Sequence, residues 1–576
     1  MLANYTEQKR LLNLKSVAPW FLMAVIVYTV YFSLIPVNDW WLFGLEDGSH
    51  LSWIEAMKKG YVPFRDFHAQ YGPLDILFYK IPMDIFGYQL SVYRWSMVIF
   101  NLLSMVISLL VAFLIIKRTW LRMLIVIPMI LAVNHPMWFH YWGGLRMGSG
   151  LIGIYFFIVF FERRNNVWLL LSGVVSVLSF FLTYEEGTCV LAGIIAVFIW
   201  AWISKRTEWN LGKEQFKAFF VGIALALVPI FFYMVYNGMA VSYFKTSFVD
   251  VLFYQQVGWT RFVIPFIDVF PKEQGISVLF SREVFFWVLY GIIIFFFFAF
   301  FRWYRHSPVL LLFSVFALVH MISSIRLYTG PQLNTSLPVI IIMLFSLGNE
   351  IIESNRERVQ KISVIVFSAL FLISVYMINF SFNMIKGSIE TQQKSISLLK
   401  YERRAVNVPQ LKGIRLSLPQ ANIIEVVCRA VNYYTNQDDR ILSGPYHSTF
   451  SFVCDRMFYS RFYMPLLSTI RDEFYQDIIA DIKNNPPPLV VWEPDAPRIL
   501  PHIDHNVLLK ELYEIIKGNY ILVRDIPQYT ALKNPGPWGN FHTQIFVEKG
   551  IFAVKGEMNV GLEKLDRNIS DKAALK

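Results

Sequence analysis

Residues Leu45–Leu74 read LEDGSHLSWIEAMKKGYVPFRDFHAQYGPL, and this stretch decides how the rest of the chain is read. It directly follows the first long apolar run, so the acidic pair Glu46-Asp47 stands where the chain leaves a membrane. Carboxylates at such a boundary are costly to hold and commonly functional. A helical pattern comes next, with Leu51, Ile54 and Met57 on one face and Ser52, Glu55, Lys58 and Lys59 on the other. A polar, aromatic turn then carries Arg65-Asp66, His68 and Tyr71-Gly72-Pro73.

The membrane reading rests on composition. Of 576 residues, 56% are hydrophobic and 16% charged, and the mean hydropathy is +0.46. A soluble protein of this length could not cover so much apolar surface, which makes the chain a polytopic membrane protein. Aromatics at 17% suit lipid-facing spans and interfacial belts. The net charge of +11 does not imply nucleic acid, because no lysine- or arginine-rich block stands out and much of the excess lies in short loops between spans. The cysteines, Cys189, Cys428 and Cys454, are too few for a disulfide scaffold or a cysteine zinc cluster. Cys189 falls within a span, whereas Cys428 and Cys454 share the C-terminal region and could pair if it faces an oxidising compartment. The N-terminal apolar run is long and lacks a small-residue cleavage site, so it reads as an anchor, not a cleaved signal.

At roughly 20 apolar residues per span, eleven spans are expected, over about 17–36, 92–116, 121–134, 147–161, 167–183, 187–203, 218–236, 284–301, 308–325, 337–348 and 362–380. Basic residues recur at alternate ends, as in Lys9-Arg10, Lys117-Arg118, Arg163-Arg164, Lys205-Arg206 and Arg356 with Arg358. Between Asp39 and Asp84 there are instead seven carboxylates. The positive-inside rule then places the N-terminus in the cytoplasm, and an odd span count sends the C-terminal region outside. The long outer loop 37–91 is expected to hold two helices lying in the interface, and a second long loop covers 237–283. After residue 383 short apolar runs at 440–444, 488–492, 519–524 and 544–547 alternate with helical patterns at 420–435, 469–484 and 506–517. The expected fold is therefore a polytopic α-helical membrane domain over 1–383 and an extracytoplasmic α/β domain over 384–576.

On these residues the chain resembles the GT-C superfamily of membrane glycosyltransferases, nearest to the protein O-mannosyltransferase and aminoarabinose-transferase-like branches. The resemblance is carried by Glu46-Asp47, Gly60, Pro63-Phe64-Arg65-Asp66 and Tyr71-Gly72-Pro73-Leu74, and by the outer α/β tail. The order Glu, Asp, Gly departs from the family's usual acidic pair and leaves the catalytic carboxylate open between the two. The WWDYG motif of oligosaccharyltransferases is absent, since Trp40-Trp41 is followed by Leu42.

The resemblance implies transfer of a sugar from a polyprenyl-phosphate carrier to a glycan, lipid or protein acceptor outside the cytoplasm, usually with inversion, at a bacterial inner membrane. A carboxylate must take the acceptor's proton, and cations must hold the departing phosphate. Asp47 is the first candidate base, with Glu46 as alternative or orienting partner; an acidic helix N-cap is the plainer reading. Asp66 could orient an acceptor or pair with Arg65, and Tyr71 belongs to the matching turn. Arg146 in Trp142-Gly-Gly-Leu-Arg and Arg326 in Ser323-Ser-Ile-Arg are the headgroup candidates, against snorkelling to lipid. Glu185, in Tyr184-Glu185-Glu186-Gly187, either contacts the site or tips a solvated hairpin. No organic cofactor is expected. A divalent metal has only weak support, because Glu46, Asp47, His50, Asp66 and His68 share a loop without metal-specific spacing. His140 and His320 read as satisfied bundle residues. A transporter or flippase, or a non-catalytic subunit of an envelope-polysaccharide system, remains the alternative.

Overall fold

The structure is a computed structural model, and it describes residues 46–133, 144–205, 209–254, 307–325, 338–346, 348–349, 403–445, 448–494, 505–527 and 542–558, with Met23 and a few positions between 291 and 298. The chain divides into two compact units.

The first unit is helical. Its described elements are α2 (Pro73–Phe86), α3 (Leu90–Ile115), α4 (Thr119–Val133), α5 (Gly144–Arg163), α6 (Asn166–Leu182), α7 (Tyr184–Ile203), α8 (Lys213–Tyr236), α9 (Ala240–Phe244), a π-helical turn over Lys245–Tyr254, and α10 (Pro308–Ile325). Three of them, α3, α7 and α8, are long and apolar enough to cross a membrane, and α6 and Pro308–Met321 are shorter apolar helices. Each expected span from 92–116 to 218–236, and that at 308–325, coincides with a helix. Residues 338–346 are helical too. The expected spans at 17–36, 284–301 and 362–380 lie wholly or mostly outside the described residues.

Lipid-facing helices gain nothing from hydrophobic exclusion against one another, so close backbone approach and small side chains hold them together. Helices α6 and α8 show this directly. A Cβ on Gly173 would sit 2.2 Å from the Phe219 carbonyl oxygen, and one on Gly222 would sit 2.1 Å from that of Leu170. Some polar side chains find partners inside the bundle: Ser172 Oγ donates to the Gly153 carbonyl at 2.8 Å, and the Ser149 and Ser179 hydroxyls meet at 2.9 Å. The apolar core joins Ile154 and Phe157 of α5, Val190 and Ile194 of α7, and Phe313 and Phe316 of α10.

The second unit is α/β. A five-stranded mixed sheet has the order β4-β3-β5-β7-β6, with β3 (Arg440–Gly444), β4 (Met457–Phe458), β5 (Leu489–Trp492), β6 (Tyr520–Ile526) and β7 (Thr543–Glu548). Strand β3 runs parallel to β4 and β5, and β7 runs antiparallel to both β5 and β6. The central β5 is buried along its length, as a continuous Leu-Val-Val-Trp run requires. A small antiparallel pair, β1 (Arg403–Ala405) with β2 (Arg415–Ser417), precedes α11 (Leu418–Tyr434). The remaining helices are α12 (Thr449–Val453), α13 (Asp472–Asn484), α14 (His505–Leu508), α15 (Lys510–Asn519) and α16 (Lys549–Lys555). Cys428 and Cys454 are disulfide-bonded, and Cys189 is a buried free thiol.

Helix α1 (Glu46–Lys58) belongs to this second unit, together with the residues up to Val62 and Asp66–His68, although sequence groups them with the spans. It also differs from the expected interfacial helix. Leu51 and Ile54 are buried, but so are Ser52 and Glu55 on the supposedly wet face. Ser52 can be buried because its hydroxyl donates to the Ser448 carbonyl at 2.9 Å. Helix α2, in contrast, keeps Ile81, Ile85 and Phe86 exposed, as a surface-lying apolar helix would.

Candidate functional site

The turn Tyr71-Gly72-Pro73 docks on the junction of α6 and α7, and glycine makes the docking possible. The Gly72 N–H donates to the Leu182 carbonyl at 3.2 Å, and a Cβ on Gly72 would sit 1.8 Å from the Phe181 carbonyl oxygen. Pro73 then starts α2 at a position where no N–H is needed. On the other side of the junction a Cβ on Gly187 would lie 2.2 Å from the Phe180 Cα. The bend between the helices is thus built from two close backbone approaches, with Thr183 extended between them.

This docking seats Tyr71 under Arg146. The guanidinium of Arg146, in the first turn of α5, lies 4.3 Å from the centre of the Tyr71 ring, and its Nη2 lies 3.4 Å from Glu185 Oε2. Arg146 is 5% exposed, so its charge is held inside the bundle by a carboxylate and an aromatic face. Glu186, the next residue of α7, turns to α10, where its Oε1 lies 3.1 Å from His320 Nε2. His320 stacks on Phe316 of its own helix. Two adjacent glutamates at the start of one span therefore tie it to two others. Asp75 and Tyr79 of α2 are fully buried, and Asp75 and Arg146 both act electrostatically on Tyr79. The arrangement offers a preorganised cation, buried carboxylates and an aromatic face, a set that can hold an anionic oxygen group.

The sequence candidates fall as follows. Tyr71, Arg146 and Glu185 come together, and Glu185-Glu186 is no solvated hairpin tip, because both glutamates lie in the first turn of α7 and Glu186 is 5% exposed. Arg65 Nη1 donates to the Asn237 carbonyl at 3.2 Å, and Asp66 Oδ2 accepts the Val62 N–H at 2.7 Å, which closes the turn before Phe67. Glu46 and Asp47 are the first two residues of α1, and their side chains lie outside the described set. Arg326 lies outside the described residues. Among the described residues no three His, Cys, Asp or Glu side chains form a metal-binding group. His320 has its expected partner, Glu186. That pairing had one sequence signal: an acidic pair and a lone histidine, each in an otherwise apolar helix.

In the second unit, His68 is buried against Phe462, and its backbone N–H donates to the Arg461 carbonyl. Burial, with the Arg461 charge, pushes the His68 imidazole down to about 3, so it stays neutral. Sequence reasoning misses Glu55 of α1, which is buried beside Asp455 and Lys58.

No protein-family model matches the chain, and no curated protein matches it. The chain is similar to two kinds of solved membrane glycosyltransferase. One is ArnT from Cupriavidus metallidurans bound to undecaprenyl phosphate, with 12% identity and a TM-score of 0.49 over 92% of this chain and 98% of that one. The other is the archaeal oligosaccharyltransferase AglB from Archaeoglobus fulgidus, in complex with an inhibitory peptide and a dolichol-phosphate. There the identity is 13% and the TM-score 0.47, over 83% of this chain and 69% of that one.

Proposed function

We propose that this chain is an integral-membrane glycosyltransferase that moves a sugar from a polyprenyl-phosphate donor to an envelope glycan, lipid or protein on the extracytoplasmic side. The observation that carries the reading is the buried Arg146, stacked on Tyr71 and paired with Glu185 among apolar helices. A buried, partnered cation among spans marks a site for a charged substrate group, and arginine suits a phosphate.

In the proposed reaction an acceptor hydroxyl oxygen bonds to the anomeric carbon while the bond from that carbon to the phosphate oxygen breaks. The electron pair leaves with the polyprenyl phosphate, which gains one negative charge, and the acceptor's proton passes to Asp47, with Glu46 as the alternative base. Arg146, with Arg326 as a second candidate, stabilises the charge that develops on the phosphate. Asp66, Arg65, Tyr71 and Glu185 are assigned to substrate binding. The Cys428–Cys454 bond supports an oxidising, extracytoplasmic location for the α/β unit.

The test uses the full chain in membranes of a strain lacking it. Undecaprenyl-phosphate-linked glucose, mannose, galactose and aminoarabinose are offered, and released undecaprenyl phosphate is measured alongside the mass profile of envelope glycans. The base variant, Asp47→Asn or Glu46→Gln, should lose about 10²- to 10⁴-fold in transfer while remaining inserted. Two fully active variants would remove the proposed base.

A further inference from the structure

Helix α1 carries Glu46 and Asp47 at one end, and the other end is anchored by a residue some 400 positions later in the chain. Along its length α1 lies tight against α12: a Cβ on Gly48 would sit 2.4 Å from Ser448 Oγ and 3.1 Å from the Thr449 nitrogen. The Ser52–Ser448 hydrogen bond and the edge contact of Trp53 with Tyr463, at 5.3 Å, continue the seam. At the last turn Lys58 Nζ lies 2.7 Å from Asp455 Oδ1 and 3.3 Å from Glu55 Oε1, and Lys59 Nζ lies 3.7 Å from Glu55. The Lys58 ammonium therefore bridges the Glu55 and Asp455 carboxylates.

Asp455 is built to hold that end still. It sits in the left-handed region at φ 57°, which aspartate tolerates better than most residues. Its Oδ2 accepts from Gln437 Nε2 at 2.9 Å, in the connection between α11 and β3. The residue before it, Cys454, is bonded to Cys428 on α11. One carboxylate therefore links α1 to two other pieces of the unit.

We propose that Asp455 is a positioning residue: by fixing the last turn of α1 it sets the rotation and axial position of the helix that presents Glu46 and Asp47. This rests on the glycosyl-transfer reading above. A 13-residue helix is about 20 Å long, so a small tilt at Lys58 becomes a displacement at Asp47. Misplacement of a reacting group by about 1 Å can cost about 100-fold in rate.

The experiment compares Asp455→Asn and Lys58→Gln with the wild type, in membranes, on whichever of the four undecaprenyl-phosphate sugars the wild type consumes. Asparagine keeps the left-handed backbone and removes only the charge, and Lys58→Gln leaves Asp455 and its neighbours in place. Both variants should lower kcat about 10- to 100-fold while the KM for the lipid donor stays within about twofold, with the disulfide still formed and the melting temperature close to wild type. Wild-type kcat in either variant overturns the inference. So does a loss confined to melting temperature, or one shared equally by kcat and donor KM. Asp47→Asn and Glu46→Gln run alongside. If one is dead and Asp455→Asn is fully active, this inference alone fails; if both are active, the glycosyl-transfer reading fails and takes it down too.

Discussion

The Arg146 guanidinium rests 4.3 Å from the centre of the Tyr71 ring, and it reaches that position only because Gly72 packs on the Phe181 carbonyl. An aromatic residue of the segment before α2 and a charge from the start of α5 are thereby joined through the α6–α7 junction. The tyrosine contributes its face, so the ring and the hydroxyl should have separable roles.

Tyr71→Phe should therefore retain near wild-type turnover of the lipid donor, and Tyr71→Ala should not. A cation–π contact contributes about 0.5–2 kcal/mol, more when desolvated, which corresponds to a loss of about 2- to 30-fold in kcat/KM. Steady-state release of undecaprenyl phosphate measures it. Equal losses in both variants would mean that the hydroxyl, not the face, is what Arg146 needs.

The two junction glycines predict a stability effect. Gly72→Ala and Gly187→Ala would each force a methyl group into backbone atoms, at 1.8 and 2.2 Å. Overpacking of this kind costs about 1–3 kcal/mol, and backbone cannot rotate aside as a side chain can. Thermal unfolding in detergent should show both variants clearly destabilised. Gly518→Ala, in α15 with nothing within 4 Å, should be neutral or slightly stabilising.

A third expectation concerns Glu186 and His320, buried together at 3.1 Å. Removing the imidazole leaves the Glu186 carboxylate buried without it, and breaking a buried pair in this way costs about 3–5 kcal/mol. His320→Ala should thus lower the melting temperature strongly, and Glu186→Gln with His320→Gln should recover much of it, since two neutral amides can bond to each other. A double variant no better than His320→Ala would show that the pair is not coupled.

How much of this was legible in the sequence depends on how local each cause is. The apolar runs at 440–444 and 488–492 sit where β3 and β5 form, because a buried strand needs little more than continuous hydrophobic residues. The sheet order, with β7 antiparallel between β5 and β6, was not legible, since nothing in either strand names its neighbour. Helix α1 shows the same limit. Its period was readable, but the burial of Ser52 depends on a backbone carbonyl at Ser448, and that of Glu55 on Asp455, both remote in sequence. Gly72 was readable as part of a motif, whereas its reason, the Phe181 carbonyl, is a tertiary contact. The Glu46-Asp47 pair was conspicuous because two acids directly follow a long apolar run, a contrast that residue order alone displays.

The disulfide predicts a further effect. Cys428 and Cys454 close a loop across 26 positions, for which chain entropy gives roughly 3–4 kcal/mol of stabilisation. Cys428→Ser with Cys454→Ser should melt lower by a corresponding amount. Thiol counting on the unfolded chain should find one free thiol in the unreduced wild type, that of Cys189, and three after reduction.

The last expectation comes from Glu55, whose carboxyl is pushed up from 4.5 to about 7, first by burial and then by its hydrogen bond to Asp455, against the pull of Lys58 and Lys59. Below about pH 4.5 folded and unfolded chains both hold the proton, and Glu55 adds no pH dependence. Between 4.5 and 7 the unfolded chain releases it while the folded chain keeps it, so stability falls as pH rises, by on the order of 3 kcal/mol, and levels off above 7. Asp455 is also penalised by burial, but hydrogen bonds to Lys58 and Glu55 hold it below its usual 3.8, so its own titration lies under this window. His68, depressed to about 3 by burial and Arg461, gives a slope of opposite sign below 6.5. The measurement is therefore the difference between wild type and Glu55→Gln at each pH, in which the His68 contribution cancels. Glutamine mimics the protonated acid, so the two proteins should melt alike near pH 4.5. The variant should then gain steadily on the wild type up to pH 7 and hold a constant lead at pH 8. A difference that stays flat across that range would show that Glu55 titrates normally and that its burial beside Asp455 carries no charge penalty.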